Sequence, residues 1–255
     1  MTKTIALAGK GGTGKTTVAA LLIQSLLQRV PGPLLAIDAD PATNLHLALG
    51  LPMPTTVGDV RETMAVEAQS QQLGVTMTRH DYLTHELQLA LEEGDKVDLI
   101  AMGRPEGQGC YCAANHLLRT ILDDMGRHYP YVVIDNEAGM EHISRRTTRD
   151  VDLLLVVSDP TLRGLKAAGS ILEMSHDIGV NVHQRWLILN RVVGDLVPPL
   201  QSAVDELEVE RKVIVPADAR VNELDALGEP LVKLNGDSPA LRSIQELADS
   251  ILRSL

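Results

Sequence analysis

The sequence predicts an α/β fold: a mostly parallel, twisted sheet of about seven strands with helices on both faces, in a single domain spanning residues 1–255. Short apolar, β-branched runs alternate with helical periodicity along the chain, the pattern of a parallel sheet covered by helices. A length of 255 residues suits one such sheet with a sizeable core, whereas two full domains would leave both halves small. No internal repeat, low-complexity tract or linker interrupts the chain.

Thr4–Ala8 reads as the first strand, followed by a Gly-rich turn and a helix from about Lys15 to Arg29. Pro31, Gly32 and Pro33 break that helix, and Leu34–Asp38 is the second strand. Val57–Gln69 and Asp81–Glu93 carry helical patterns, and Val97–Met102 is the third strand. A turn-rich stretch then leads into Cys110-Tyr111-Cys112 and a helix from about Ala113 to Arg127. Tyr131–Asp135, Asp152–Val157, Arg185–Asn190 and Lys212–Val215 complete the strands. Helices fit Leu162–Ile178, Pro198–Glu206 and Asp218–Leu227, and a last one runs from Ser238 or Pro239 to about Arg253.

Composition excludes several classes. A hydrophobic content of 44% argues against disorder, and no run of about 18 apolar residues offers a transmembrane helix. The chain enters a strand almost at once after Met1, which leaves no room for a signal peptide, so the expected location is the cytoplasm. A net charge of −11 argues against broad nucleic-acid binding, which needs clustered Lys and Arg. Phe is absent and Trp186 is the one tryptophan, so Leu, Val, Ile, Ala and Met must build the core. The eight methionines are scattered and read as gap fillers. Leu241, Ile244, Leu247 and Ile251 form a helical stripe with acidic residues opposite. That stripe reads as core, since a basic amphipathic membrane anchor would need more Lys and Arg.

The first strand-to-helix turn carries the chemistry. Gly9-Lys10-Gly11-Gly12-Thr13-Gly14-Lys15-Thr16 fits G-x-x-x-x-G-K-[ST], with an apolar strand before it and an amphipathic helix after it. The glycines let successive backbone N–H groups curl around phosphate oxygens, and the helix N-terminus adds its positive dipole end. Lys15 would reach the β- and γ-phosphates of ATP, Thr16 would ligate Mg²⁺, and Thr17 would donate to the α-phosphate.

Lys10, directly after the first glycine, makes this loop resemble the two-lysine P-loop ATPases: the nitrogenase iron protein, the MinD and ParA ATPases, and the nickel-insertion ATPases. The resemblance implies that Lys10 crosses a homodimer interface to the partner's nucleotide, with the purpose of an arginine finger. Asp38-Ala39-Asp40-Pro41 closes the second strand, and the resemblance makes Asp40 the residue that directs the attacking water, with Asp38 near the Mg²⁺ shell. Asn44 stands where some relatives have an Asp, so its role is open. Asp135-Asn136-Glu137-Ala138-Gly139 looks like the second switch, in which Asp135 holds a magnesium-bound water and the Gly139 N–H senses the γ-phosphate. Asn190, followed by Arg191, falls where the family reads the adenine edge, and Pro216 and Asp218 fall where relatives close the base pocket. Read as residues alone, these carboxylates and Asn190 also suit helix caps and turns.

Cys110 and Cys112 stand one residue apart. A turn would let both thiols face one point, and thiolates suit Zn²⁺, Ni²⁺ or Cu⁺, but two ligands do not close a site. A two-fold dimer would supply four sulfurs, the same assembly that Lys10 asks for. Buried inert thiols, a local disulfide and a shared cluster remain alternatives. Met102–Gly107, Cys110–Asn115 and Asp135–His142 look like the CooC type of ATPase, which helps insert nickel into carbon monoxide dehydrogenase; close relatives serve acetyl-CoA synthase. The resemblance implies an ATP-hydrolysing metallochaperone that dimerises with ATP, takes Ni²⁺ or Zn²⁺ at Cys110 and Cys112, and serves one of those clients without nucleic acid or membrane. A ParA- or MinD-like positioning ATPase and an electron-transfer ATPase with an intersubunit iron–sulfur cluster are the alternatives. His116, Glu141 and His142 read as surface or packing residues before they read as auxiliary ligands.

Overall fold

A computed structural model describes residues 2–60, 62–63, 79–104, 124–138, 150–177 and 181–255. Its centre is an eight-stranded sheet: β1 (Lys3–Gly9), β2 (Leu34–Ala39), β3 (Glu92–Glu93), β4 (Val97–Ala101), β5 (Tyr131–Asn136), β6 (Asp150–Ser158), β7 (Asn181–Val192) and β8 (Arg211–Pro216). The spatial order is β3-β4-β2-β5-β1-β6-β7-β8, parallel except for β3 against β4. The helices are α1 (Lys15–Leu27), α2 (Leu45–Leu49), α3 (Arg79–Leu89), α4 (Leu162–Asp177), α5 (Pro198–Asp205), α6 (Ala219–Leu227) and α7 (Pro239–Ser254), with a 3₁₀ turn at Leu231–Lys233. Residues 57–60 and 62–63 are also helical.

All seven expected strands form. The eighth, β3, occupies the tail of the stretch expected as helix over Asp81–Glu93, which stops at Leu89. The cause is a tight turn: Gly94 N donates to Val97 O at 3.0 Å and folds Glu92–Glu93 back along β4. A Cβ on Gly94 would lie 2.5 Å from Val97 O, so the turn needs glycine. The short α2 was not expected, because five residues show no helical period.

The inner strands β1, β2, β4, β5 and β6 are largely buried on both faces, which is why they are apolar without alternation. In β1, Ile5 and Leu7 join a core with α1, α2, α6 and α7, while Ala6 and Ala8 face a second core with α3, α4 and α5. The C-terminal stripe is core as expected: Leu241, Ile244, Leu247 and Ile251 are at most 3% exposed. Ser238 caps α7 by accepting from Leu241 N, and its hydroxyl donates to Asp218 at 2.5 Å. Ser238→Ala removes both bonds and is expected to cost about 1–2 kcal/mol in chemical denaturation.

β1 lies between β5 and β6, and the chain passes from β1 across β5 to β2, so connections leave β1's neighbourhood in opposite directions. This opens a crevice at the carboxyl ends of the strands, the usual binding edge of such sheets.

Candidate nucleotide site

Five strand ends converge at that edge: Gly9 from β1, Asp38 from β2, Asp135 from β5, Val157 from β6 and Asn190 from β7. Gly12 (φ 82°) and Gly14 (φ 87°) hold left-handed backbone that turns the chain back into α1. Gly14 occupies the N-cap of α1 without a side-chain cap, and no acidic residue sits in the first turn. The helix therefore offers its first N–H groups and positive end to an outside anion.

Lys15 is buried, with Nζ 3.5 Å from the Lys10 carbonyl. Burial lowers its pKa, and Asp135, Asp40 and Glu137 oppose that shift. Thr16 Oγ1 donates to Asp135 Oδ2 at 2.6 Å. Asp135 Oδ1 is buried and has no hydrogen-bond partner among the described residues. Burial pushes the Asp135 carboxyl up to about 7; Asp38 and Asp40 add to the rise, while the Thr16 bond and Lys15 oppose it. A hydroxyl beside a carboxylate with one uncommitted oxygen is a hard-oxygen donor set that fits Mg²⁺, alone or through a bound water. Such a cation, carried with ATP, would supply the charge this buried carboxylate lacks.

Asp38 lies directly beside Asp135 across the β2–β5 ladder. Its Oδ1 accepts from Asp40 N at 3.1 Å and its Oδ2 from Leu45 N at 2.9 Å, so it fixes the start of α2 and the path of the Asp40 loop. Burial raises its pKa against those two bonds. Asp40 is half-exposed, with Oδ1 accepting from Ala42 N at 2.8 Å, and its charge acts on Lys15 and Asp135. Lys10, Gly11 and Gly12 are exposed on the outer side of the loop, and Thr17 is half-buried at the start of α1. Asn44 is the N-cap of α2, with no side-chain cap bond.

The base-pocket candidates divide. Asn190 lies under the phosphate loop: its Nδ2 donates to Thr13 O at 2.8 Å and its Oδ1 accepts from Arg191 N at 3.0 Å. Beyond these two bonds the amide of Asn190, which is buried, has one further hydrogen and one further lone pair. Arg191 Nη1 donates to Gly12 O at 3.1 Å. Asp218 instead caps α6 and accepts from Arg220 N, Ser238 Oγ and Ala240 N. Burial works against its charge, but those bonds prevail and hold the carboxyl below its usual pKa. Pro216 ends β8 opposite Val192. Gly139, Cys110 and Cys112, with His116, Glu141 and His142, lie outside the described residues.

Two residues of this edge had no assigned task in the sequence. Asn136 Nδ2 donates to Leu7 O at 2.8 Å and ties the end of β5 to β1, and Glu137 adds its charge around Lys15. Both sit inside the Asp135–Gly139 run, which was the available signal.

A Gly-rich anion cradle at the end of a central strand, with a buried lysine and a hydrogen-bonded Thr–Asp pair beside it, defines a P-loop nucleotide hydrolase. The chain belongs to the CobQ/CobB/MinD/ParA family, whose nucleotide-binding domain matches residues 4–231, and it is an ATPase of that class. It is 37% identical over 248 residues to an uncharacterized ATP-binding protein of Methanocaldococcus jannaschii, covering 97% of this chain and 98% of that protein. It is 33% identical over 186 residues to the carbon monoxide dehydrogenase accessory protein CooC of Rhodospirillum rubrum, covering 69% of this chain and 70% of that one. Among solved structures it resembles the septum site-determining protein MinD of Pyrococcus horikoshii complexed with Mg-ADP, with a TM-score of 0.67 and 23% identity over 98% of this chain and 96% of that chain.

Proposed function

We propose that residues 1–255 act as one ATPase domain of a cytoplasmic, ATP-driven metallochaperone that helps insert nickel into carbon monoxide dehydrogenase or acetyl-CoA synthase. The observation that carries this reading is the Cys110-Tyr111-Cys112 pair in a chain that shares 33% identity with a carbon monoxide dehydrogenase accessory protein. Two chains would close face to face over two Mg·ATP. Lys15 of each would hold the β- and γ-phosphates, and Lys10, exposed at the loop, would reach the partner's γ-phosphate. Closure brings four thiolates together for Ni²⁺ or Zn²⁺, and hydrolysis, with Asp40 directing water, loosens them. The coupling is a population shift, because ATP rewards only the closed state. The net charge of −11 and the buried face of α7 support a protein that works on neither nucleic acid nor membrane.

Nickel titration with and without a non-hydrolysable ATP analogue tests the reading. One Ni²⁺ per two chains is expected, lost on Cys110→Ala with Cys112→Ala. A double variant that keeps its full nickel affinity removes the cysteine assignment, and a chain that stays monomeric with analogue and metal removes the dimer. ATP-dependent co-sedimentation with DNA or liposomes would instead favour a positioning ATPase. Iron–sulfur absorbance after anaerobic purification would favour electron transfer.

A further inference from the structure

The end of β7 does something that an ordinary strand cannot. Successive strand residues point to opposite faces, yet Asn190 and Arg191 both reach the phosphate loop. The β7–β8 register breaks between Leu189 and Val192, and Arg191 takes a left-handed φ of 61°, rare for a residue with a side chain. Such breaks re-aim side chains and collect next to active sites. Here the break sends an amide and a guanidinium to one place.

What they grip are carbonyls. Asn190 Nδ2 holds Thr13 O at 2.8 Å and Arg191 Nη1 holds Gly12 O at 3.1 Å. Across a planar trans peptide, a carbonyl and the next N–H point in opposite directions. Pinning the Gly12 and Thr13 carbonyls toward β7 therefore turns the Thr13 and Gly14 N–H groups away from it. Thr13 N–H indeed points across the loop to Lys10 O at 3.4 Å, the carbonyl that the Lys15 ammonium also faces. That interior is where a phosphate would sit. Gly14 makes room for the brace: a Cβ there would lie 2.5 Å from Asn190 Nδ2 and 3.5 Å from Arg191 Nη2. The Asn190 amide is itself locked, since its Oδ1 accepts from Arg191 N.

We infer that Asn190 and Arg191 are positioning residues that hold the phosphate loop with its N–H groups turned inward, so that they govern capture of the polyphosphate itself, whatever base it carries. The inference is independent of the metal proposal and needs only a nucleotide at the loop.

The test uses a ligand without a base. Magnesium tripolyphosphate, ATP and GTP are titrated calorimetrically into the full chain and into Asn190→Ala and Arg191→Ala, each checked for folding by thermal melting. Loss of one brace is expected to weaken tripolyphosphate by about five- to tenfold, the worth of one hydrogen bond to the loop. Arg191→Ala should weaken ATP and GTP by the same factor, and the loss should persist at about 0.5 M KCl, where an exposed charge acting directly on phosphate is screened. Undiminished tripolyphosphate affinity in Asn190→Ala, with weaker ATP, would reduce Asn190 to a reader of the base. An Arg191→Ala loss that vanishes with salt would make the guanidinium a counter-charge only. Either result overturns the inference, and because Arg191 is exposed its variant decides even if Asn190→Ala fails to fold.

Discussion

Lys15→Ala is expected to lower kcat/KM for ATP by about 10²–10³, the scale on which an aimed donor stabilises developing charge. Lys15 is 7% exposed as a residue, and its ammonium feels the charges of Asp135, Asp40 and Glu137. Burial and negative charge work against one another at this lysine, and a triphosphate adds the anion that settles the contest in favour of its charged form. Without Lys15, ATP would have to enter a pocket dominated by carboxylates. Steady-state phosphate release measures the effect, and circular dichroism shows that the variant is folded. A variant that still hydrolyses ATP within about threefold of the parent would move the γ-phosphate contact to another cation, Lys10 first.

Gly9→Ala is expected to have the largest effect on stability among glycine substitutions at the site. A Cβ at Gly9 would stand 2.3 Å from the carbonyl oxygen of Val157 and 3.1 Å from Thr13 Oγ1. Val157 is its partner in the β1–β6 ladder at the middle of the sheet, so the obstacle is hydrogen-bonded backbone that cannot swing aside. Overpacking of this kind costs about 2–3 kcal/mol, which lowers Tm by roughly 5–10 °C in a chain of this size. Gly236→Ala is the control, since no atom lies within 4 Å of its added Cβ and its melting curve should stay in place. Unchanged melting of Gly9→Ala would mean that β1 and β6 separate more easily at this edge than the register implies.

Much of this arrangement was legible in the sequence, for a local reason. A buried parallel strand must be apolar over its length, so Leu34–Asp38, Tyr131–Asp135 and Asp152–Val157 stood out before any contact was known. The Gly9–Thr16 spacing likewise encodes its own turn. What stayed hidden depends on long-range contacts or on very short elements. The helix expected over Asp81–Glu93 ends early because Gly94 returns the chain along β4, and five residues of α2 carry no period. Asn190 looked like a reader of adenine, while its bond to a carbonyl 177 positions earlier in the chain depends on a register break that no local pattern announces. Asp218 looked like part of a base pocket, and its oxygens are committed to Arg220, Ser238 and Ala240.

The two margins of the sheet decide whether copies of this protein could join edge to edge. One margin is β3, only two residues long and both glutamate; the other, β8, opens with Arg211 and Lys212 and loses register with β7 near its end. Neither presents the long, flat, apolar ribbon along which sheets extend sideways into fibres. The two named edge strands thus give a neighbouring copy little on which to extend the sheet, even in concentrated protein.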